Sequence, residues 1–347
     1  MTLRLDPALP LVWRTPDDLQ VGAAAPIAVF EGAGDVETGL IAALRHGVHL
    51  STLLTIGSGL GASPERVHEV VDRLAAGFVG DDDDRAGARA SATSRAEHGR
   101  ADAAARRPRT VAVDGTGPLP DLIAANLSAL GHAVIRLQPL APGEAAHPAD
   151  LPGPDVVVIV AAWAVTPARH LPWLRRDLPH LAVVGDDAGV RVGPFVEPGR
   201  GPCLRCLDLA ARDADAAWPV IAAQLAGRPA PVEPARLRFD AAALAAAAVD
   251  DRFDDHVDAG LDAALGAVLE AGFGVGFGGS AGTRAGHRLA AASVSFDRRG
   301  SSGRRREHAE HPECGCRAPA GIAIPLALPA ADRRDGPSSA TAVAWRA

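Results

Sequence analysis

One stretch decides the fold class of this chain: RTVAVDGTGPLPDLIAANLSALGHAVIRL, residues 109–137. It reads as a buried strand, a glycine turn, a helix that ends at a glycine, and a second strand. Two further apolar runs, DVVVIVAAW (155–163) and HLAVVG (180–185), are typical of strands buried on both faces of a parallel sheet. Helix-compatible sequence precedes each run. The pattern predicts a Rossmann-like α/β unit over residues 109–328.

Residues 1–80 are predicted to form a separate small unit. Three short extended segments come first, and three helical patterns follow them, which is the inventory of a winged helix. The extended segments are Leu11–Trp13, Leu19–Val21 and Ile27–Phe30, and the helical patterns are Gly39–His46, Val48–Leu54 and residues 63–77.

The last of these helices carries the clearest pattern, SPERVHEVVDRLAAG. Ser63 is suited to cap it, Pro64 suits its first position, and Gly77 can end it. Its valines and leucine recur at intervals of three and four residues, which predicts one apolar stripe facing the sheet.

Two segments are too poor in large apolar side chains to offset the entropy of ordering. Residues 81–108 are therefore predicted to be a disordered linker, and residues 329–347 a flexible tail. The domain plan is thus 1–80, 81–108, 109–328 and 329–347.

Charge and composition narrow the classes of partner. The 347 residues carry a formal charge of −7, and residues 1–80 contain five arginines against nine carboxylates, so neither nucleic acid nor an anionic membrane is expected as a partner. Apolar runs stay well below the roughly 20 residues of a membrane span, and MTLRLDPALP lacks the pattern of an export signal. We therefore expect a cytoplasmic protein. The oligomeric state stays open, with a homodimer as one option.

The only four cysteines fall into two close pairs, Cys203 with Cys206 and Cys314 with Cys316. Disulfides are rare in a reducing compartment, so the pairs are better interpreted as thiolate ligands. Four thiolates can close a tetrahedral shell around zinc and leave no open position, which predicts a structural ion rather than a catalytic one. His308 and His311 lie close enough in sequence to replace a ligand.

The turn VDGTGPLP is a second candidate site. Gly115 and Gly117 could let the backbone approach a phosphate at the start of the next helix. The third glycine of the dinucleotide-binding fingerprint is Pro120 here, and the following strand ends without a carboxylate for a ribose hydroxyl. A degenerate nucleotide loop is the favoured interpretation.

Two cysteine segments carry a family resemblance. PFVEPGRGPCLRC (194–206) resembles the first zinc pair of ThiF-like, ubiquitin-activating-enzyme-like proteins, and HPECGC (311–316) resembles the closing pair of their relatives in thiazole and oxazole peptide biosynthesis. The resemblance covers about 109–317. Separately, residues 1–80 resemble the winged-helix leader-recognition element of those relatives. The implied fold is a winged helix followed by a ThiF-type domain whose C-terminal segment zinc staples to the sheet.

This chain departs from the adenylating members of the family in the residues that handle phosphate. Their strand equivalent to DVVVIVAAW ends in an aspartate motif serving magnesium, whereas Ala161, Ala162 and Trp163 stand here. Catalysis by this chain alone is thus not expected, nor is ATP as a cofactor. The resemblance implies a non-catalytic, leader-binding partner of a YcaO-type cyclodehydratase, which forms azoline rings on a precursor peptide.

The precursor's leader is expected to add as a strand beside residues 27–30 and to rest against the helix of residues 63–77. The residues assigned to that contact are Ile27, Val29, Arg66, Val70 and Arg73. Two alternatives stay open: an ATP-dependent adenylyltransferase of the ThiF type, and a zinc-containing winged-helix regulator that binds DNA.

Overall fold

The computed structural model of the protein describes residues 2–79, 109–137, 153–253, 289–298 and 303–317. All structural statements below concern these ranges.

The predicted linker, 81–108, and the predicted tail, 329–347, lie outside the described residues. The proposed domain boundaries at these segments therefore stay predictions.

The N-terminal unit contains three helices and a three-stranded antiparallel sheet with strand order β2-β3-β4. A two-stranded pairing of β1 with β5 completes it. The elements are β1 (Thr2–Leu3), β2 (Leu11–Trp13), β3 (Leu19–Val21), β4 (Ala28–Phe30), α1 (Asp35–His46), β5 (Val48–His49), α2 (Leu50–Gly59) and α3 (Pro64–Arg73).

Local capping explains where the helices begin. Helix α3 starts as predicted, since the Ser63 side chain accepts a hydrogen bond from the Arg66 N–H at 3.3 Å. It ends at Arg73, before the predicted Gly77, and a short 3-10 turn follows. Helix α1 begins four residues earlier than predicted, because the Glu37 carboxylate accepts the Gly34 N–H at 2.9 Å.

The second unit is built on a seven-stranded mixed sheet of order β12-β11-β10-β9-β8-β6-β7. Strands β7, β6, β8 and β9 are parallel, and β10, β11 and β12 add antiparallel. The strands are β6 (Thr110–Asp114), β7 (Ala133–Leu137), β8 (Val156–Ala162), β9 (His180–Gly185), β10 (Gly189–Val196), β11 (Ala292–Asp297) and β12 (Gly303–Glu307). The helices are α4 (Pro118–Ala129), α5 (Pro167–Leu174), α6 (Leu204–Ala214), α7 (Trp218–Leu225) and α8 (Ala235–Phe253).

This sheet confirms the α/β class, and its four parallel strands fall where the sequence predicted them, whereas the antiparallel strands β10, β11 and β12 were not predicted. One face packs against α4 and α8, with Ile123, Leu127 and Ala245 fully buried. The other face holds a cluster that contains Trp173 and two of the cysteines, Cys203 and Cys206. Within the described ranges, no helix has the length and hydropathy needed to cross a membrane.

Candidate metal centre

The four cysteines come from two separated parts of the sheet unit. Cys203 is the residue before α6, and Cys206 lies in the first turn of that helix. Cys314 and Cys316 lie in the segment after β12, and Cys316 sits in a 3-10 turn. Although more than 100 residues separate the pairs, the four sulfur atoms all lie within 4.8 Å of one another.

The sulfur spacing fits a zinc ion. The Sγ atoms of Cys203 and Cys206 are 3.9 Å apart, and Cys203–Cys314 and Cys206–Cys316 are each 3.6 Å apart. A tetrahedron with zinc–sulfur bonds of about 2.3 Å has sulfur–sulfur edges of about 3.8 Å. All four thiols are free, and their spacing is far from the roughly 2.05 Å of a disulfide. The cluster can therefore bind a metal ion, as the sequence predicted.

Burial makes the cluster dependent on a positive charge. Desolvation raises the pKa of the Cys203 thiol and, with the neighbouring thiols, raises the pKa of Cys316 to about 11. Desolvation also acts on Cys206, but hydrogen bonds from the backbone of His311 and Cys203 and from the Cys314 and Cys316 side chains together lower its pKa. A divalent cation would stabilise the thiolate form of these buried cysteines.

The segment that carries the second pair is fastened to α6 by polar contacts. Arg212 donates to Glu313 at 2.9 Å, and His311 Nε2 lies 2.8 Å from an Asp213 oxygen. His308 Nε2 lies 2.8 Å from Ser293 Oγ. Both histidines that the sequence offered as substitute ligands are thus engaged elsewhere, which leaves the four cysteines as the candidate donor set.

The second candidate site, the glycine loop, is filled by side chains of the chain itself. The Arg136 guanidinium donates to the Gly115 carbonyl at 3.1 Å and also reaches the Pro120 carbonyl. From α5, Arg169 donates to the Asp114 carboxylate and carbonyl, both at 3.0 Å.

Helix α4, where a phosphate would bind, also lacks two of the backbone N–H donors in its first turn. Pro118 and Pro120 occupy two of the first three positions of α4, and proline has no N–H to offer. Gly115 is required for packing, because a Cβ there would lie 3.0 Å from the Val160 carbonyl oxygen. Gly117 has φ of 104° with open space around it, so it serves the turn conformation.

The crevice beyond the carboxyl end of β8 is closed by the N-terminal unit. Trp163 follows β8 with φ of 65°, a conformation uncommon outside glycine, and its side chain packs with Val12 of β2. Ile221 and Leu225 of α7 complete this small apolar cluster. Ligands of open α/β sheets bind in this kind of crevice, and here apolar side chains take that space.

Three polar contacts fix the same junction. Arg14 forms a bidentate pair with Asp215 at 2.7 and 2.8 Å. Gln224 accepts the Trp13 N–H at 2.9 Å and donates to the Trp13 carbonyl at 2.7 Å. The Asp187 carboxylate accepts two backbone N–H groups, those of Ala23 at 2.7 Å and Ala24 at 2.9 Å. Sequence reasoning missed these residues, since the partners lie more than 160 positions apart.

The five residues predicted to contact a peptide lie on or beside β4 and α3. Val70 is fully buried in the core of the N-terminal unit, and Arg66 pairs with Glu37 at 2.7 Å. Ile27 packs against the same core. Val29 and Arg73 are joined directly, since the Arg73 guanidinium donates to the Val29 carbonyl and lies 4.2 Å from the centre of the Phe30 ring.

No protein-family model and no curated protein matches this chain. Among solved structures, the heterocyclase TruD is 16% identical with a TM-score of 0.38, and the match covers 90% of this chain but 42% of that one. The Escherichia coli microcin synthetase complex McbBCD is 10% identical with a TM-score of 0.39, over 90% of this chain and 99% of that one.

E. coli MccB with AMPCPP and MccA is 10% identical with a TM-score of 0.41, over 91% of this chain and 99% of that one. The chain thus spans less than half the length of the heterocyclase. At these scores the similarity carries no argument about function.

Proposed function

We propose that this chain binds an extended segment of a ribosomal precursor peptide and presents it to a separate YcaO-type cyclodehydratase, without catalysing a reaction itself. The observation that carries the proposal is the edge strand β4, which lies beside α3 at the margin of the N-terminal sheet. Zinc at the four cysteines would have a structural role.

The two edges of the N-terminal sheet differ in a way that favours β4 as the binding edge. At β2, Gln224 meets both backbone groups of Trp13, and Arg228 donates to the Leu11 carbonyl at 3.3 Å, so this edge is closed. At β4, the Val29 carbonyl meets only one exposed side chain, that of Arg73, among the described residues. An added peptide strand can use such an edge for backbone hydrogen bonds.

The roles of the five predicted contact residues can be refined on this geometry. Val29 and Arg73 would meet the peptide directly, through the strand carbonyl and the guanidinium. Val70, Ile27 and the Arg66–Glu37 pair would hold α3 at a fixed distance from β4. Affinity would come from backbone pairing, and selectivity from the side chains between β4 and α3.

The state of the glycine loop supports a role without ATP. Two prolines remove N–H donors from the start of α4, two arginines fill the loop, and Trp163 closes the crevice. The carboxylates that an adenylating enzyme would use for magnesium are replaced at Ala161 and Ala162. The alternative of a ThiF-type adenylyltransferase predicts saturable, magnesium-dependent binding of ATP, which calorimetry would detect.

Binding of a peptide to the full chain tests the proposal. We would search the neighbouring genes for a short Cys/Ser/Thr-rich precursor peptide, label it and follow its fluorescence anisotropy. Saturable binding is expected, and Val29→Pro should weaken it roughly fivefold, because proline has no N–H and one backbone hydrogen bond contributes about 1 kcal/mol.

Val232→Pro is the matched control, because Val232 is 81% exposed and lies outside helices and strands. It should bind as the parent chain does. Absence of saturable binding would remove the proposed role, and equal binding by Val29→Pro would move the site away from β4.

A further inference from the structure

Helix α6 connects the cysteine cluster to the N-terminal unit. Its amino end carries Cys203 and Cys206, and its carboxyl cap is Asp215, the partner of Arg14. Asp215 is twelve residues after Cys203, a distance of about 18 Å at 1.5 Å per residue. A single rigid element therefore joins the two sites.

The contact continues through α7, which follows α6 within three residues. The Ala217 N–H donates to Asp215 at 3.0 Å and so fixes the turn between the helices. Gln224 on α7 then closes the β2 edge at Trp13, and Ile221 packs against Val12. The orientation of α6 thus determines where β2 can lie.

Apolar packing holds α6 only weakly. Of its eleven residues, only Leu204 and Cys206 are buried. Both side chains of its ion pair Arg212–Glu313 are more than one-third exposed, and such a pair contributes little. The four cysteine sulfurs are therefore the main fixed point of this helix.

A second attachment of the N-terminal unit does not pass through α6. Asp187, in the turn between β9 and β10, accepts the N–H groups of Ala23 and Ala24. That turn belongs to the central sheet. Val12 also packs with Trp163 after β8, so of the three attachments only the one through Arg14 and Gln224 leads to the cysteines.

We propose that metal binding at the four cysteines fixes the seating of the N-terminal unit on the sheet unit, with α6 as the connecting element. The inference rests on the proposed zinc site and is independent of peptide binding. When the metal leaves, α6 loses its fixed point, and the Arg14–Asp215 and Trp13–Gln224 contacts open. The Asp187 contact stays closed, so the unit pivots about it rather than separating.

Thermodynamic linkage makes the coupling reciprocal. If bound metal strengthens the β2 contact by some factor, then an intact β2 contact must strengthen metal binding by the same factor. Couplings of this kind are typically 5- to 150-fold.

Amide hydrogen exchange in the full chain tests whether metal binding stabilises the contacts of β2. Exchange at Trp13, Ala23 and Ala24 would be compared by NMR between zinc-loaded protein and protein stripped with a chelator. We expect exchange at Trp13 to rise roughly fivefold or more on stripping, with little change at Ala23 and Ala24. Unchanged exchange at Trp13, or an equal rise at all three amides, would overturn it.

The reciprocal effect, of the Arg14–Asp215 contact on metal affinity, is tested with a variant that leaves the cysteines unchanged. Arg14→Gln should raise the zinc dissociation constant, measured against a chromogenic chelator, by roughly fivefold or more. Arg305→Gln breaks the exposed Arg305–Glu307 pair on β12 and serves as the control, with no change expected. An unaltered dissociation constant in Arg14→Gln would refute the coupling even if the chain binds its peptide normally.

Discussion

The cysteine cluster and the glycine loop both begin as short sequence motifs, but only the first brings its chemical groups together. The four sulfurs converge to within 4.8 Å. In the glycine loop, Arg136 and Arg169 occupy the backbone carbonyls, and prolines remove the donors. A motif made of ligand side chains is therefore stronger evidence for a binding site than a motif made of glycines. Thiols have few structural uses in such a cluster, whereas a glycine turn remains useful for packing alone.

The largest expected effect comes from breaking the cysteine cluster. Cys203→Ser should reduce zinc from one ion per chain to a trace, measured by elemental analysis. It should also lower the free energy of unfolding by about 4 kcal/mol or more, the stabilisation that a ligand supplies at 1,000 times its dissociation constant. Ala210→Ser, at an exposed position of the same helix, is the control. Full zinc content in Cys203→Ser would contradict a four-thiolate site.

A smaller effect, on the pH dependence of stability, is expected from substituting His170. This residue lies on α5, the helix that also carries Arg169. Burial, with the nearby charges of His180 and Arg205, lowers the pKa of His170 to about 4. The unfolded chain therefore takes up this proton first, and His170 contributes stability above pH 6.5 that is lost as the pH falls towards 4. His170→Gln should reduce the decrease in the free energy of unfolding between pH 6.5 and 4 by about 1 to 3 kcal/mol.

Urea unfolding at several pH values measures this difference, and His46→Gln at an exposed position is the control. Wild type and His170→Gln with parallel pH profiles would contradict a buried neutral imidazole. The pKa of His308 is also lowered to about 4, first by burial, so part of the pH dependence persists in the variant.

The glycine loop can be tested as a packing element. Gly115→Ala should cost about 2 kcal/mol, because its Cβ would crowd the Val160 carbonyl and its φ is 145°. Gly117→Ala should cost about 1 kcal/mol, since only its φ of 104° is unfavourable. Gly153→Ala, which meets open space, is the neutral control. Equal costs at all three positions, measured by urea unfolding, would show that the loop is not packed as described.

The smallest effect is expected on nucleotide affinity. Arg169→Gln removes a guanidinium from the loop but leaves the prolines of α4 in place, so calorimetry should detect no ATP binding before or after the change. Acquisition of saturable ATP binding would mean that Arg169 alone blocks the crevice. Magnesium-dependent release of pyrophosphate by the parent chain would show that the glycine loop is a working nucleotide site and would favour the adenylyltransferase.

Much of the fold follows from local sequence. The buried parallel strands β6, β8 and β9 lie in continuous apolar runs, and α3 shows both its cap and its apolar stripe, so each was predictable, whereas β12 carries three consecutive arginines and was not. The start of helix α8 at Ala235 was not predictable, because an alanine-rich stretch lacks a sharp boundary signal. Boundaries that depend on a single side-chain contact, such as Glu37 with Gly34, were also missed.

The candidate site was predictable only where the donor atoms themselves appear in the sequence. The cysteine pairs required no knowledge of the fold. Arg14, Asp187, Asp215 and Gln224 gave no local signal, because each is an ordinary surface residue until distant segments meet. The closing of the crevice by Trp163 depends likewise on how the N-terminal unit is seated.

The amide of Gln224 has a consequence for self-association. A sheet with two exposed edges can recruit further copies at both ends and grow into a ladder without limit. Because the Gln224 side chain occupies the backbone N–H and carbonyl of Trp13 on the outer edge of β2, the N-terminal sheet can gain at most one strand, at β4. Two copies that met there would form a closed pair with no further edge to offer, so growth of a fibre through this sheet stops at two chains.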